Sequence, residues 1–198
     1  MAARPNFVAD ERFLALRSAL DERLGQVRAS IRPELFAGLC TPVMLRVLGD
    51  ALQKVGASEG SVWLLDENRQ NLVIAYNTGP RAAEIVGKVK QPLTEGIVSM
   101  VVASEQSFVE NEVYKNRQHS KLVDRQFDQV TEAMIVVPFY LLKHCRGVVS
   151  CVHLSEPGEI TGAKFTNANL GVIQLAAAVI SDLIDYRLLR VTVGWKPE

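Results

Sequence analysis

The chain has 198 residues, of which 48% are hydrophobic and 22% are charged, as expected for one globular domain with extensions. A chain of this length can bury a sizeable core without metals or disulfides. Its 22 Lys and Arg residues balance its 22 Asp and Glu residues, so the charge does not indicate a nucleic-acid partner, which would need a basic face.

Three features favour the cytoplasm. The start of the chain, MAARPNFVADERF, has no apolar run of the kind found in a secretory signal. The longest apolar run, residues 134–142, is far shorter than the roughly 20 residues of a membrane span. Cys40, Cys145 and Cys151 are odd in number and form no C-x-x-C pair, which favours reduced thiols. We therefore expect a cytoplasmic protein with no disulfide and no membrane contact.

Residues 1–32 are predicted to form an N-terminal amphipathic helix. Its apolar residues recur every three or four positions and so share one stripe: Phe13, Leu16, Leu20, Leu24, Val27 and Ile31. Pro33 cannot continue this helix, because its ring clashes with the preceding turn. A second helix is predicted over residues 42–55, with Gly56 placed to end it.

The middle of the chain is predicted to be mainly strand. Short runs rich in β-branched and aromatic residues lie at 61–65, 72–76, 108–109, 134–142 and 147–154. The first two runs and the last two runs each resemble a hairpin, whereas the central run is a weaker strand candidate. Pro138 lies inside the fourth run and indicates an edge strand or a bulge.

Helices are predicted between and after these strands, over residues 96–103, 114–128 and 167–191. Thr166 precedes the last helix and is a good N-cap, because its hydroxyl can accept from a free backbone N–H. The order of elements predicts an α+β fold, in which helices pack on an antiparallel sheet.

Several short motifs, in their order along the chain, resemble the GAF domain family. Residues 92–99, PLTEGIVS, are similar to the family's segment in which a strand ends, a Gly turns the chain and a short helix starts. The next strand ends in Asn111-Glu112, where the family often has Asn-Asp. Val137-Pro138-Phe139 matches the late hairpin, and Phe165-Thr166 before the long helix matches the family's close.

The resemblance implies a central antiparallel sheet of five or six strands. The N- and C-terminal helices would pack on one face of it, and a ligand pocket with short helices would lie on the other. The GAF domain would span residues 33–191, between the N-terminal helix 1–32 and a tail at 192–198.

The resemblance also implies a regulatory role rather than an enzymatic one. A sensory domain would bind an unidentified small molecule in the pocket, form a homodimer through its terminal helices and act on an output protein in trans. The alternative is a ligand-free, structural dimerisation domain. A pocket with converging polar groups would favour sensing, whereas a pocket filled by side chains would favour the structural role.

More specific functions of GAF relatives fit this sequence poorly. Bilin photoreceptors attach pigment through a Cys directly before a His; His119 matches that His, but Gln118 replaces the Cys, which excludes this route. In cyclic-nucleotide-binding relatives an Asn-Lys pair follows the last strand, where this chain has His153-Leu154. Their later Asp-Glu is replaced by Asn169-Leu170, so only Phe165 of that pattern remains.

Free methionine sulfoxide reductases of the family use cysteines before and in the loops that face the ligand. This chain has no cysteine between Cys40 and Cys145, so that activity is not expected. Cys151 and His153 share one face of a strand but lie about 6–7 Å apart, too far for direct activation of the thiol. They are also too few for a structural zinc site, so no metal site and no catalytic residue are expected.

The candidate ligand-binding residues are aromatic or polar side chains on the strands, together with residues of the segment that the resemblance identifies as a lid, 114–128: Trp63, Tyr76, Phe108, Asn111, Tyr114, His119, Tyr140, Cys151 and His153. Basic residues of that segment could face an anionic ligand, although a solvated helix face explains them equally well: Lys115, Arg117, Lys121 and Arg125.

The last predicted helix is apolar on two sides. One stripe comprises Leu170, Ile173, Ala177, Ile180, Ile184 and Leu188, and the other comprises Val172, Leu175, Val179 and Leu183. One stripe is enough to pack on the sheet. The N-terminal helix can cover part of the second stripe, but Leu188, Leu189 and Val191 would still lack partners. This excess of apolar surface predicts a homodimer.

Overall fold

The computed structural model describes residues 11–195, apart from the side chain of Phe13. Seven α-helices are present in this part of the chain: α1 Glu11–Ser30, α2 Phe36–Leu39, α3 Pro42–Val55, α4 Ala82–Ile85, α5 Ile97–Ser104, α6 Leu122–Phe127 and α7 Asn167–Thr192. The strands are β1 Glu59–Leu65, β2 Asn71–Asn77, β3 Lys90–Pro92, β4 Phe108–Glu110, β5 Val130–Leu141 and β6 His144–Ser155.

The strands form one antiparallel six-stranded sheet in the order β3-β2-β1-β6-β5-β4. The predicted α+β class and strand number are therefore confirmed. Within β5, Pro138 lies beyond the stretch 134–136 that pairs with β4, and a bulge follows between Phe139 and Tyr140. Pro138 thus lies at an open edge of the sheet next to a bulge, as predicted for a residue that cannot donate to a ladder.

One face of the sheet packs against the long helices. Helix α7 lies on β5 and contacts α3, and α1 contacts α7. Four residues of the first predicted stripe of α7 are buried in this layer, Ile173, Ala177, Ile180 and Ile184. Its two end residues, Leu170 and Leu188, are partly buried against it, so Leu188 has partners within the chain, contrary to the prediction. From the sheet, the same layer takes Ile135, Val137, Phe139, Val149 and Cys151.

The opposite face packs against the short helices α4 and α5 and the segment that contains α6. Its buried residues form a second, separate hydrophobic cluster around Trp63, Ile74, Ile97 and Val148. The predicted arrangement is therefore confirmed: the terminal helices lie on one face and the short helices on the other.

Local sequence explains where several helices begin and end. Thr41 and Thr166 cap α3 and α7, because each hydroxyl accepts from the backbone N–H three residues later. Gly56 ends α3 in the left-handed conformation, with φ of 69°. Gly96 before α5 has φ of 86°, and a Cβ there would collide with the Gln91 side chain, so this turn requires glycine.

The predicted single helix over residues 114–128 is wrong. The segment consists of a 3₁₀ turn, Val113–Lys115, a loop and the six-residue helix α6. Asn116 causes the break, because its side chain accepts from the Gln118 backbone N–H and donates to Glu110. Such local side-chain bonds compete with the helical ladder.

Within residues 11–195, no single helix has both the length and the apolar character to cross a membrane. The length and composition are reached only by 33–39 and α3 taken together, and that pair is bent by 102°.

Candidate functional site

A small cavity lies between the sheet and the short helices, on the face opposite to α7. Its volume is about 60 Å³. The strands β1, β2, β3, β5 and β6, the helices α4, α5 and α6, and the loops on either side of α6 all contribute to its wall. Its lining mixes apolar and polar side chains, among them Trp63, Ile74, Ile97, Met134, Glu59, Ser61, Gln91, His119, Asp124, Gln129, Thr131 and Ser150.

Strand β1 contributes every second residue to the cavity. Glu59, Ser61 and Trp63 all line it, because alternate side chains of a strand project from the same face. Trp63 is buried, and its indole Nε1 donates to Ser150 Oγ across 3.1 Å. Glu59, at the other end of this row, is only half-buried. The row therefore runs from an aromatic inner end to a carboxylate at the outer end.

The loop before α6 and α6 itself close the cavity, and we call residues 116–129 the lid. His119 Nε2 lies 2.9 Å from Asp124 Oδ2, and both side chains are largely buried. Asp124 in turn accepts from the Thr131 hydroxyl at 2.7 Å and from the Thr131 backbone N–H at 3.2 Å. These bonds attach the lid to the start of β5.

The Asp124 carboxyl is ionised in this arrangement. Burial opposes its ionisation, but the hydrogen bonds from His119 and Thr131 outweigh burial and lower the pKa of Asp124. The oxygens of Asp124 are therefore committed to contacts within the protein.

A wider groove of about 610 Å³ continues outward from the cavity. The groove and the cavity share Glu59, Ile85, Val123, Gln129 and Leu154. Arg81 spans the groove: its Nη1 donates to the Phe127 carbonyl at 3.1 Å, and its guanidinium lies 5.0 Å from the centre of the Phe127 ring. Arg81 thus fastens the end of the lid to the loop before α4.

Glu59 lies where the groove meets the cavity. Burial raises the pKa of Glu59, although the Asn77 side chain and the Arg81 charge act in the opposite direction. The negative charge of Glu59 is therefore only partly compensated within the protein.

The inner wall is stabilised by buried polar groups on β3 and α5, on either side of the turn that joins them. Gln91 Nε2 donates to the Glu95 carbonyl and to Ser99 Oγ, and Ser99 donates to the Pro92 carbonyl. These bonds hold the turn at Gly96 against the end of β3. The motif PLTEGIVS thus shapes the cavity wall through backbone geometry.

The structure brings two of the nine candidate residues, Trp63 and His119, to the cavity. Three others belong to the face of the sheet that packs against α7. Tyr76 packs on Phe36 of α2, Cys151 is fully buried in the layer under α7, and His153 stacks on Phe165 with ring centres 4.1 Å apart. Cys151 and His153 share a strand face, as predicted, but that face is directed away from the cavity.

The remaining four candidates lie at the periphery. Phe108 packs against the cluster on the cavity side without lining the cavity, and Tyr114 follows the end of β4. Asn111 forms two bonds with the backbone of Phe165, at 2.7 and 3.0 Å. Tyr140 donates to Glu105 at 2.9 Å in an outer groove beside α7.

The basic residues of segment 114–128 lie outside the cavity lining: Lys115, Arg117, Lys121 and Arg125. All four side chains are exposed, and Arg117 lines a separate groove of about 340 Å³ beside the turn at Gly96.

The three cysteines also lie away from the cavity, and each thiol is free. Burial raises the pKa of Cys151 to about 12 and that of Cys40 to about 11, so both are protonated thiols and poor nucleophiles. No group of three or more His, Cys, Asp or Glu side chains in the described residues could hold a metal ion.

Sequence reasoning missed most of the polar lining. Glu59 and Ser61 have a recognisable signal, because they lie four and two residues before Trp63 on the same strand face. Gln91, Asp124, Gln129 and Thr131 come from separate elements. Only the tertiary structure brings them together.

Among the comparisons with known proteins, only solved structures match the chain, and they identify its fold. No protein-family model and no curated protein sequence matches the chain. Among solved structures, the GAF domain of an Acinetobacter phosphoenolpyruvate-protein phosphotransferase has a TM-score of 0.58 and 19% identity, covering 90% of this chain and 95% of that one. The GAF-B domain of DevS from Mycobacterium smegmatis has a TM-score of 0.57 and 16% identity, with 76% and 96% covered.

A third similar structure is an enzyme, the free methionine-R-sulfoxide reductase from Neisseria meningitidis in complex with its substrate. It has a TM-score of 0.56 and 18% identity, covering 93% of this chain and 98% of that one. The chain therefore has the GAF-domain fold, which is found both in sensor and regulatory proteins and in reductases.

Proposed function

We propose that this GAF-fold chain is a cytoplasmic sensory domain that binds a small molecule under the lid and signals through its terminal helices as a dimer. The output protein acts in trans. The observation that carries the proposal is the cavity of about 60 Å³, toward which polar groups from the sheet and the lid converge. A domain with a purely structural role has no need of such a lining.

Hydrogen bonds outside the cavity connect α7 to β5 and to the segment that leads into the lid. Asn111 lies just before the segment that leads into the lid, and it bonds to the backbone of Phe165, two residues before α7. At the far end of β5, Ser181 of α7 donates to the Tyr140 carbonyl at 2.6 Å, and Asp185 accepts from the Leu142 N–H at 2.7 Å. A shift of the lid or of β5 therefore acts on α7 at two points.

The dimer that we propose is formed by the exposed apolar residues of α7, which include Leu175 and Leu183 of the second predicted stripe, pairing with the same residues of a second copy. Leu175 is 66% exposed, and Leu183, Tyr186 and Leu189 are also exposed along the helix. Burying one such side chain is worth roughly 1.5–3 kcal/mol, and an isologous pair buries each of them twice.

Sedimentation equilibrium of wild type and of a Leu175→Glu, Leu183→Glu double variant tests the dimer. We expect a dimeric wild type and a monomeric, folded double variant, because the new charges would be buried at the interface. Val43→Glu is a matched control on the exposed side of α3. A strictly monomeric wild type at high concentration would overturn the dimer. Ile184 is unsuitable for this test, because it is fully buried within the protomer.

The reductase activity of two similar structures has weaker support in this chain. The reductases of this fold use cysteines in or near the loops that face the ligand, whereas Cys40, Cys145 and Cys151 all lie outside the cavity lining. A regulatory role that does not involve catalysis is therefore the function that we propose.

Native mass spectrometry of the chain purified from its source tests the sensory role directly, since it reports retained ligand and oligomeric state together. We expect a dimer carrying a small molecule, which is lost when the lid is loosened by Arg81→Ala. A ligand-free dimer that no small molecule stabilises would favour the structural alternative. Turnover of methionine sulfoxide by the purified chain would contradict the non-enzymatic role.

A further inference from the structure

The charges around the cavity are one-sided. Among the described residues, its lining includes two carboxylates, Glu59 and Asp124, and neither Lys nor Arg. In the wider groove that continues from the cavity, Asp128 and Glu156 add two more carboxylates, and Arg81 is the single cation among its described lining residues. Arg81 is already bonded to the Phe127 carbonyl and lies over its ring. Besides the bonded Asp124, the described lining of the cavity and the groove holds three carboxylates, and the charge of Arg81 offsets only one of them. An anionic ligand would therefore meet net negative charge.

The two carboxylates of the cavity differ in their availability. Asp124 is bonded to His119 and to both the hydroxyl and the N–H of Thr131, so its charge is compensated inside the protein. Glu59 has less compensation: burial outweighs the Asn77 side chain and the Arg81 charge at its carboxyl, and no Lys or Arg lies within ion-pair distance of it among the described residues. Burial removes water from the Glu59 carboxylate. A positive group of a ligand next to it would replace the stabilisation that this water gives.

The inner end of the cavity has a different character. Trp63, Ile74, Ile97 and Val98 form an apolar wall there. Glu59 and Trp63 are four residues apart on β1, which corresponds to about 13 Å along the strand. In its present closed form the cavity holds about four water-sized groups, which is too little for a nucleotide.

We infer that the ligand of this site is a small organic ammonium ion, with its charged end at Glu59 and its apolar part directed toward Trp63. This inference rests on the sensory function proposed above, and it names the chemical class of the ligand. Two features carry it: the row of β1 side chains from carboxylate to indole, and a cavity lining that holds carboxylates but no Lys or Arg among the described residues. A ligand that also carries a carboxylate is disfavoured, because no Lys or Arg lines the cavity in the described part of the chain.

Fluorescence of Trp63 is a direct reporter. The chain has two tryptophans, and the exposed Trp195 can be replaced in a Trp195→Phe background so that only Trp63 remains. The probes are n-butylammonium, n-butanol and butyrate, which share one carbon chain and differ in the charged end, titrated at constant ionic strength. We expect n-butylammonium to bind about ten- to a hundredfold more tightly than the other two, as one charge-assisted hydrogen bond would give.

Glu59→Gln identifies the residue responsible. It keeps the shape of the side chain and removes its charge, so the preference for n-butylammonium over n-butanol should disappear. Glu34→Gln is the matched control, because Glu34 is exposed on another part of the chain and lines neither the cavity nor the groove. Circular dichroism confirms that each variant is folded. A Glu59→Gln protein that keeps the preference overturns the inference.

The outcomes separate this inference from the proposed function. If butyrate or n-butanol binds as tightly as n-butylammonium, the cavity is a ligand site but the class is wrong. If none of the three probes changes the Trp63 signal, the ammonium class is also wrong, and the sensory function is then decided by whether native mass spectrometry finds a retained small molecule. A retained ligand that carries an anionic group and no amine overturns the inference while supporting the sensory function.

Discussion

The two faces of the sheet are built from the same strands but have different interiors. Along β6, Val149 and Cys151 face the layer under α7, which is apolar and closely packed. Their neighbours Ser150, Val152 and Leu154 face the cavity, where hydroxyl, carboxylate and indole groups share the wall with aliphatic ones. A shift of one residue along the strand thus changes the environment from core to site.

Under the proposed function, one face of the sheet mainly stabilises the fold and the other face binds the ligand. The α7 face contains most of the large, fully buried side chains, such as Phe139, Ile135, Ile173 and Ile184. The cavity face gives up close packing to hold polar groups around a void. Substitutions on the α7 face should therefore change stability most, and those on the cavity face should change binding most.

The largest expected effect is on the α7 face. Phe139 is fully buried and makes an edge contact with Phe36, with ring centres 6.1 Å apart. Phe139→Ala should lower the free energy of unfolding by about 3–5 kcal/mol, through lost transfer energy and the cavity left behind. Equilibrium urea denaturation measures this loss.

The matched change on the other face is Met134→Ala. Met134 is also buried, but it borders the existing void and so gives up fewer contacts. Its cost should lie at the low end for such truncations, about 2 kcal/mol. Equal losses for the two variants would show that the two faces are packed alike and would break the comparison.

A smaller effect is expected at Glu132, a buried carboxylate on β5 that does not line the cavity. It accepts from the backbone N–H groups of Thr161 and Gly162, both at 2.8 Å, and from the Thr161 hydroxyl. Burial opposes its ionisation, but these bonds outweigh burial and lower the pKa of Glu132. Glu132→Gln should cost about 2 kcal/mol, since an amide group replaces one accepting oxygen.

The pH dependence of stability checks this assignment. The pKa of Glu132 in the folded chain lies below its unfolded value of about 4.3. Its contribution is therefore fully present above the unfolded pKa and is lost as the pH falls toward the folded one. Asp124 has the same sign and remains in the variant. Denaturation at several pH values should thus show a shallower acid loss in Glu132→Gln, and an unchanged slope would contradict the prediction.

The sequence predicts the fold well where hydrophobic period and capping are strong. Helix α3 occupies its predicted range and ends at Gly56, and Thr166 caps α7 as predicted. Strand β3 has only three residues, too few for an alternating pattern to stand out. The composition of residues 114–128 predicts one polar helix, but the Asn116 side chain interrupts that helix.

The candidate site is harder to predict for a physical reason. Strand β6 is buried on both faces along 146–151, so its sequence has no polar side to indicate its orientation. Cys151 and His153 can be assigned to a common face, but the pattern does not say which face that is. The residues that complete the cavity, such as Gln91 and Asp124, are distant in sequence and meet only through the sheet order.

A pair of neighbouring residues on β6 sharpens the comparison. Cys151→Ser places a hydroxyl in the apolar layer under α7, where burying it should cost about 1–3 kcal/mol. Ser150→Ala removes the acceptor of Trp63 Nε1 on the cavity face. Because Ser150 borders the void, water there can replace the lost bond, and the cost should be near 1 kcal/mol, or about the net worth of one hydrogen bond.

The two variants should also differ in fluorescence. Ser150→Ala changes the polarity next to the Trp63 indole and should shift its emission, whereas Cys151→Ser should leave that emission unchanged, because Cys151 belongs to the other layer. A larger stability loss in Ser150→Ala than in Cys151→Ser would contradict the assignment of the two faces.

The smallest effect concerns the lid. None of the residues of α6 is fully buried, and the lid is held by the Asp124–Thr131 bonds and by Arg81 on Phe127. Such a segment should open locally, so the amides of α6 should exchange with solvent faster than those of 148–152 in β6.

Arg81→Ala should speed exchange in α6 by a further factor of about five, since one hydrogen bond and one cation–π contact together contribute about 1 kcal/mol at an exposed site. Arg125→Ala is the matched control, as this exposed arginine of α6 does not line the cavity or the groove. Hydrogen exchange followed by mass spectrometry measures both rates, and α6 protection equal to that of β6 would show that these residues do not form a lid.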